Sequence, residues 1–369
     1  MNEKQKKIGF FSVELNQVDQ MVREGAGSAE VIVYLVLARG AGAKKASRWG
    51  MKSCTTYTGL TYHRADKASD WLQEKGFIKD ISEGKKRQWV FSKSEHGVPV
   101  YLSNALIDGI GAGKENPPMN RLHNDLKMGE YGFKEEARLD TLMVLLHLYR
   151  HQSLRDFGGV NPASGLFRAW SAASGYYGSH ATLVTGSNTA IYEIEGEPST
   201  VYTAFMAETL FYVEDKAERS ARFWAAFENL SRLGWLYETT QVWSDDPRRN
   251  SRAEPLYTLY VHDKHARDTD PYLIRYVHKV AVADDSDFKL HLWRVSESEE
   301  PTKVSGQLRY IAPKGKGFPI GIYRLRFRPH TEDAGKGMTE EQHRVDEWRQ
   351  HCARLIKEIE RLDDVLDAF

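Results

Sequence analysis

From Ser28 to Ala38 the sequence is apolar on nearly every side of a 3.6-residue helical net, the pattern of a helix enclosed by its domain. Ser28 stands at its N-cap, and Gly40 and Gly42 follow Arg39, so the spacing predicts a buried helix over 28–39. Ahead of it, residues 8–14 (Ile8-Gly9-Phe10-Phe11-Ser12-Val13-Glu14) read as a short strand, with Asn16 capping a short helix. Behind it come two more helices in close succession. Ser53 caps a short one ending at Thr58, Gly59-Leu60 makes a turn, and Thr61 caps a second that runs to Lys75 and stops at Gly76. The second helix carries Ala65, Ala68 and Leu72 on one face, at spacings of three and four, and leaves Tyr62, His63, Arg64 and Lys67 on the others. Phe77-Ile78 reads as a strand, Ser82-Glu83-Gly84-Lys85 as a polar turn, and Gln88-Trp89-Val90-Phe91 as the returning strand.

A similar pattern recurs further on. Residues 137–152 read as a helix with Leu139, Leu142, Leu145, Leu146 and Tyr149 on its apolar side. Residues 215–233 read as another, burying Ala221, Trp224, Phe227 and Leu230, and the exit from Leu230 to Leu236 parallels that from Leu72 to Ile78. A hairpin is expected over Tyr237 to Trp243 and Leu256 to Val261, its polar loop carrying Arg248, Arg249 and Arg252. Residues 153–200 show no clear period and read as an insertion. Residues 307–328 read as two strands joined at Pro313-Lys314-Gly315-Lys316-Gly317, with Tyr323, Leu325 and Phe327 on one face and Arg324, Arg326 and Arg328 on the other. After a linker around Gly335 and Gly337, Thr339 and Gln342 form a capping box for a final helix. Along it Val345, Trp348, Cys352, Leu355, Ile359, Leu362 and Leu366 alternate at three and four, a heptad seam that another surface must cover, within the chain or on a second one.

Together these elements predict an α+β protein, mostly helical, in four parts. Residues 1–107 form a first helix–hairpin domain, and 108–135, rich in Gly and Pro at its start, a linker. Residues 136–265 form a second such domain carrying the insertion, and 266–369 a C-terminal extension with a β-hairpin and a long amphipathic helix.

Charge sharpens the picture. The 369 residues hold 51 basic and 51 acidic side chains, so net charge says nothing about a polyanionic partner. Its distribution does: residues 41–92 hold eleven basic side chains against five acidic ones, a local +6, and residues 338–369 hold five against nine, a local −4. Helix, turn, helix and a hairpin tipped by Lys85, Lys86 and Arg87 resembles the winged-helix superfamily of DNA-binding domains. The resemblance is carried by Tyr57-Thr58-Gly59-Leu60-Thr61 at the turn and Leu72-Gln73-Glu74-Lys75-Gly76-Phe77-Ile78 at the exit, patterns similar to those of bacterial regulators and plasmid replication initiators.

That resemblance implies a non-catalytic protein that binds double-stranded DNA sequence-specifically, as a plasmid- or phage-type replication initiator or a transcriptional regulator. Thr61, Tyr62, His63, Arg64 and Lys67 would lie at the groove, with Arg64 forking onto a guanine. Lys67, Lys85, Lys86 and Arg87 would neutralise phosphates, with Arg248, Arg249 and Arg252 as further backbone contacts. Two such domains in one chain are similar to tandem winged-helix initiators, and the final helix implies a homo-oligomer or a partner protein. The competing class is a winged-helix adaptor that binds proteins in a chromosome-organising or mobile-element defence complex.

Other chemistry finds little support. Gly113-Lys114 lacks the spacing of a phosphate loop, with Asp108 and Glu115 where Gly and Ser or Thr should stand. His147 and His151, four apart on a helix, lack the Glu of the metalloprotease pattern, and His262 and His265 with Asp263, Asp268 and Asp270 read as a solvent-facing loop. No Ser sits in a Gly-x-Ser-x-Gly elbow. Cys54 and Cys352 stand far apart with no zinc-ligand spacing, so neither a disulfide framework nor a structural zinc is expected. No cofactor or metal is expected. The longest apolar stretch is too short to span a bilayer and the first residues lack a secretory pattern, so a cytoplasmic, nucleoid-associated prokaryotic protein is expected.

Overall fold

The computed structural model describes residues 9–41, 46–83, 88–92, 97, 99–109, 117–124, 134–154, 159–164, 166–170, 178–180, 189–195, 198–201, 205–247, 250, 252–262, 282–284, 287–289, 307–313, 318–329, 331–333, 335–337, 339–340, 343, 347 and 350. They form a mixed α+β fold in two compact units. The first comprises Met1–Val160, Ala204–Leu236 and Leu325–Lys336; the second comprises Asn161–Thr203, Tyr237–Arg324 and Gly337–Phe369.

In the first unit, β1 (Phe10–Glu14) pairs antiparallel with β5 (Pro99–Ser103), Phe10 opposite Ser103. Helix α1 (Leu15–Arg23) follows β1 directly; Asn16 lies inside it and Glu14 precedes it without a side-chain cap. Helix α2 (Ser28–Ala41) is buried on all sides, with Val31, Ile32, Val33, Leu35, Val36 and Leu37 fully enclosed, each contributing about 1.5–3 kcal/mol of hydrophobic stabilisation. It runs two residues beyond the expected end and takes in Gly40. Glycine costs about 1 kcal/mol inside a helix, but here a Cβ would collide with the Trp49 ring and the Ser47 hydroxyl. Those residues belong to the segment around β2 (Ala46–Ser47), which passes against the helix.

Helix α3 (Met51–Thr58) starts two residues before the expected Ser53 cap. Its N-cap is Gly50, whose carbonyl accepts the Ser53 N–H at 2.8 Å, and it stops at Gly59, left-handed at φ 73°. Helix α4 (Tyr62–Glu74) is capped by Thr61, whose hydroxyl accepts the Arg64 N–H at 3.3 Å. Ala65, Ala68, Ser69 and Leu72 form its buried face, and their small side chains permit the close packing of α4 on α2 and α3. Strands β3 (Ile78–Asp80) and β4 (Trp89–Phe91) pair antiparallel, and β2 adds to the other side of β4, giving the order β2-β4-β3. The pattern did not foretell β2, since two residues carry no period. The order helix, strand, helix, helix, strand, strand is consistent with a winged-helix-like architecture.

The stretch expected as a linker holds α5 (Ala105–Asp108) at its edge and α6 (Pro118–Asn124), which buries Met119 and Leu122. Helix α7 (Lys134–Arg150) encloses Leu142, Leu145, Leu146 and Tyr149, and the short β6 (Gln152–Ser153) and β7 (Gly159–Val160) pair behind it. Helix α8 (Phe205–Thr209) and helix α9 (Lys216–Arg232) pack on α7. The buried stripe of α9 is Phe223, Ala226, Phe227 and Leu230, rotated from the expected Ala221 and Trp224. Arg222 is drawn inward to Asp140, while Trp224 sets its ring edgewise to Phe223 and Phe227.

The two helix exits match in detail. Phe77 N–H donates to Leu72 O at 2.8 Å and Gly76 N–H to Gln73 O at 3.0 Å; Trp235 N–H donates to Leu230 O at 2.9 Å and Gly234 N–H to Ser231 O at 3.0 Å. Both glycines are left-handed, φ 76° and 71°, which only a residue without a Cβ adopts freely. Asp215 caps α9 through the Glu218 N–H at 2.7 Å, as Thr61 caps α4.

The second unit is built of strands. β8 (Phe167–Trp170), β11 (Pro198–Val201), β12 (Leu236–Trp243), β13 (Pro255–His262) and β17 (Phe318–Leu325) form one sheet in the order β11-β8-β17-β12-β13. β9 (Gly178–His180), β10 (Thr189–Glu195) and β16 (Gln307–Pro313) form another, and β14 (Val282–Asp284) pairs with β15 (Asp287–Lys289). The expected C-terminal hairpin is therefore corrected: β16 pairs with β10, and β17 lies between β8 and β12, with β10 and β8 coming from the stretch that showed no period. Both faces of β17 are enclosed at this end, Arg324 being as deeply buried as Tyr323. Residues 332–333, 335–337 and 339–340 are helical, so helix begins ahead of the expected Thr339 capping box. The whole heptad seam, from Val345 to Leu366, lies outside the described residues.

Candidate nucleic-acid interface

The exposed side of α4 is where the winged-helix-like architecture could meet a groove. Thr61, Tyr62, His63 and Lys67 are all exposed, Tyr62 at 56% despite its large apolar ring. Farther along, Asp70 and Glu74 are exposed too and Asp66 is half-buried, so the helix is cationic in its first half and acidic in its second. Arg48, Lys52 and Lys79 are exposed cations of the same helix–turn–helix and hairpin.

Arg64 is placed differently from its neighbours. Its guanidinium, 38% exposed, donates to the Glu135 carboxylate in the first turn of α7. The same carboxylate accepts the Ser28 hydroxyl from the start of α2, and Arg138 Nη1 lies 3.4 Å away. Burial alone would raise the Glu135 pKa, but the Ser28 hydroxyl and the Arg64 and Arg138 guanidiniums hold it below the ordinary 4.5. A lowered folded-state pKa means the link stabilises the fold above the unfolded value and is lost as pH falls through the folded one. The difference in melting temperature between the wild type and Glu135→Gln is therefore expected to shrink toward zero on acidification below about pH 4.5. A difference that widens in acid would contradict this network.

Lys85, Lys86 and Arg87 at the hairpin tip, and Arg248 and Arg249, lie outside the described residues. Arg252 is exposed between β12 and β13 in the second unit, its backbone N–H donating to Asn250 Oδ1 at 2.9 Å. The structure thus brings Thr61, Tyr62, His63, Arg64 and Lys67 together on one helix end. The sequence reading missed Glu135, Ser28 and Arg138. No local spacing could have found them, because Glu135 stands 71 residues from Arg64 and 107 from Ser28. It also missed the aromatic stack of Trp49 on Tyr57, centroids 4.9 Å apart, with the Arg39 guanidinium over Trp49 at 5.3 Å.

Two further polar clusters lie inside the first unit. Asp140, buried on α7, receives Arg222 Nε and Nη2, each at 2.8 Å, and the Tyr212 hydroxyl at 2.7 Å. Burial and the neighbouring carboxylate push the Tyr212 phenol far up, so it remains a donor. His147, buried on α7, has Nε2 3.4 Å from Asp19 Oδ1 and Nδ1 3.7 Å from Glu208 Oε1. Glu208 also meets Arg150 at 2.9 Å and His151 at 3.3 Å. Burial lowers the His151 pKa, against the pull of Glu208. Among the described residues, no group of three or more His, Cys, Asp or Glu is arranged to hold a metal ion. Cys54 is buried and its thiol is pushed up to about 12 by that burial. His262 is the last described residue of β13, and the aspartates after it lie outside the described residues.

No helix among the described residues is long and apolar enough to cross a membrane. Comparison with protein-family models, with curated proteins and with solved structures gave no match.

Proposed function

We propose that this chain binds double-stranded DNA, sequence-specifically and without catalysis, through the N-terminal end of α4. The observation that carries the reading is the exposure of Thr61, Tyr62, His63 and Lys67 on a helix whose opposite face is sealed against α2 and α3. A major groove admits one helix, and the residues nearest its N-terminus reach base edges. The charge division along α4 fits an end-on approach: Lys67 lies toward the phosphates, while Asp70 and Glu74 stay at the end that leaves the groove. Tyr62 and His63 are the reading side chains, and Lys85, Lys86 and Arg87, between β3 and β4 in sequence, grip phosphate from the wing.

The matched caps and exits of α4 and α9 support a reading as tandem winged helices. Among the described residues of the second copy, the arginines near the start of α9 are engaged within the fold. Arg219 donates to the Val213 and Glu214 carbonyls, and Arg222 is committed to Asp140 and Glu218. One reading domain and one packing domain suit a plasmid- or phage-type replication initiator or a transcriptional regulator, with the C-terminal heptad helix pairing two copies over two half-sites.

The test is direct binding of duplex DNA at low salt. Lys67→Ala is expected to weaken binding to all sequences alike and to reduce the salt slope by about 0.9, the signature of one lost phosphate contact. Tyr62→Ala is expected to narrow the gap between cognate and scrambled duplexes. Equal, sequence-independent effects of both would overturn the assignment of roles. The adaptor reading draws on a different observation: Phe10 and Tyr101, 42% and 47% exposed, meet edge to face at 5.5 Å on the β1–β5 ribbon, the kind of aromatic pair that anchors a protein partner. It is favoured if no DNA complex forms at low salt.

A further inference from the structure

We propose that Glu135 is a built-in competitor for DNA, a carboxylate that holds Arg64 at the edge of the reading face until a nucleic-acid ligand displaces it. The inference rests on the DNA-binding reading above. Its starting point is geometric: among the described residues, Arg64 at the head of α4 is tied back by a residue from a helix outside the helix–turn–helix, while Lys67 stands exposed. A guanidinium fork binds a carboxylate, a phosphate or the guanine edge through the same donors, so Glu135 occupies the donors DNA would use.

The network around Glu135 makes the exchange reversible. When Arg64 leaves, the carboxylate keeps the Ser28 hydroxyl and the Arg138 guanidinium at 3.4 Å, so no buried charge is stranded. Arg64 and Glu135 are 38% and 37% exposed. Ion pairs so open to water change an equilibrium constant by no more than about fivefold. A bidentate arginine–guanine contact discriminates by roughly 5- to 150-fold. The ligand therefore wins where it offers the right edge, and the carboxylate wins where it offers little. That arrangement suppresses binding to poor sites and ties the reading helix to the docking of α7, the first helix of the second helix–strand group.

The experiment measures binding of a mixed-sequence DNA duplex at 50 mM salt by four full-length proteins: wild type, Glu135→Gln, Arg64→Ala and the double variant. Glutamine keeps the shape and an acceptor for Ser28, and thermal unfolding checks that each variant is folded. Glu135→Gln is expected to bind about two- to fivefold more tightly than wild type, and the gain is expected to vanish when Arg64 is alanine. If wild type binds DNA and Glu135→Gln binds equally or more weakly, the competitor role is overturned and the DNA-binding reading stands. A gain that persists in the Arg64→Ala background also overturns it, because the carboxylate would then act by general repulsion of phosphate. If neither protein binds DNA, both proposals fall together.

Discussion

Raising the salt concentration from 50 to 200 mM is expected to weaken binding of this chain to duplex DNA by roughly 10³–10⁴-fold. The figure comes from counting the cations available to phosphates. Arg48, Lys52, Lys67 and Lys79 are exposed on the helix–turn–helix and hairpin, and Lys85, Lys86 and Arg87 lie between β3 and β4 in sequence. Six or seven phosphates neutralised give a log–log slope of about −6, since each contributes about −0.9. The zero net charge of the chain does not weaken the expectation, because released counterions are those near the contact, and charges beyond a Debye length of about 10 Å count for little. Arg64 is left out of the count, because once released from Glu135 it is assigned to a base edge and not to a phosphate. A slope shallower than about −2, measured by equilibrium titration, would mean the basic residues of 41–92 do not meet a polyanion.

Replacing Asp140 with alanine is expected to lower the unfolding free energy by about 3–5 kcal/mol. Asp140 is buried and joins α7 to α9 through a two-pronged bond from Arg222, with the Tyr212 hydroxyl as a third donor. Alanine leaves a largely buried guanidinium and a phenol without their acceptor, and an orphaned buried charge costs far more than the intact pair contributes. Arg222 retains Glu218 at 3.1 Å on its exposed side, which favours the lower end of the range. The double change Asp140→Leu with Arg222→Met removes both charges and is expected to recover most of the loss. Urea unfolding followed by circular dichroism distinguishes the cases. A loss below about 1 kcal/mol for Asp140→Ala would show that the pair is solvated and marginal.

The parts of the fold that local chemistry determines were legible in the sequence. Thr61 and Gly76 bracket α4 because a hydroxyl caps one end and a left-handed glycine ends the other, and the triplet Ala65, Ala68 and Leu72 fixes which face is buried. The parallel between Leu72–Ile78 and Leu230–Leu236 was legible for the same reason, each exit being a six-residue hydrogen-bond motif. Strand pairing was not. The alternating pattern of residues 307–328 marked two strands, but alternation names a face and never a partner: β16 found β10 more than a hundred residues earlier, and β17 slid between β8 and β12. The apolar stripe of α9 was misplaced because Ala221 and Trp224 satisfy the helical period as well as Phe223 and Ala226 do; Asp140 breaks the tie by drawing Arg222 inward. In the candidate site, residue types and helix end could be read, whereas the restraint on Arg64 could not, since it comes from α7.

The first unit also bears on how the chain is made. Its last contribution, Leu325–Lys336, lays Phe327 edge to face with Trp235, offers the Phe327 carbonyl to the buried Tyr149 hydroxyl, and sets Arg326 Nε on the Gly234 carbonyl at 2.6 Å. A ribosome must therefore pass Leu325, some 165 residues beyond Val160, before the N-terminal helices can close their core. Until then Trp235 and Tyr149 lack these contacts on the nascent polypeptide, and a premature stop ahead of Leu325 would leave that half-built core open to chaperones and proteases.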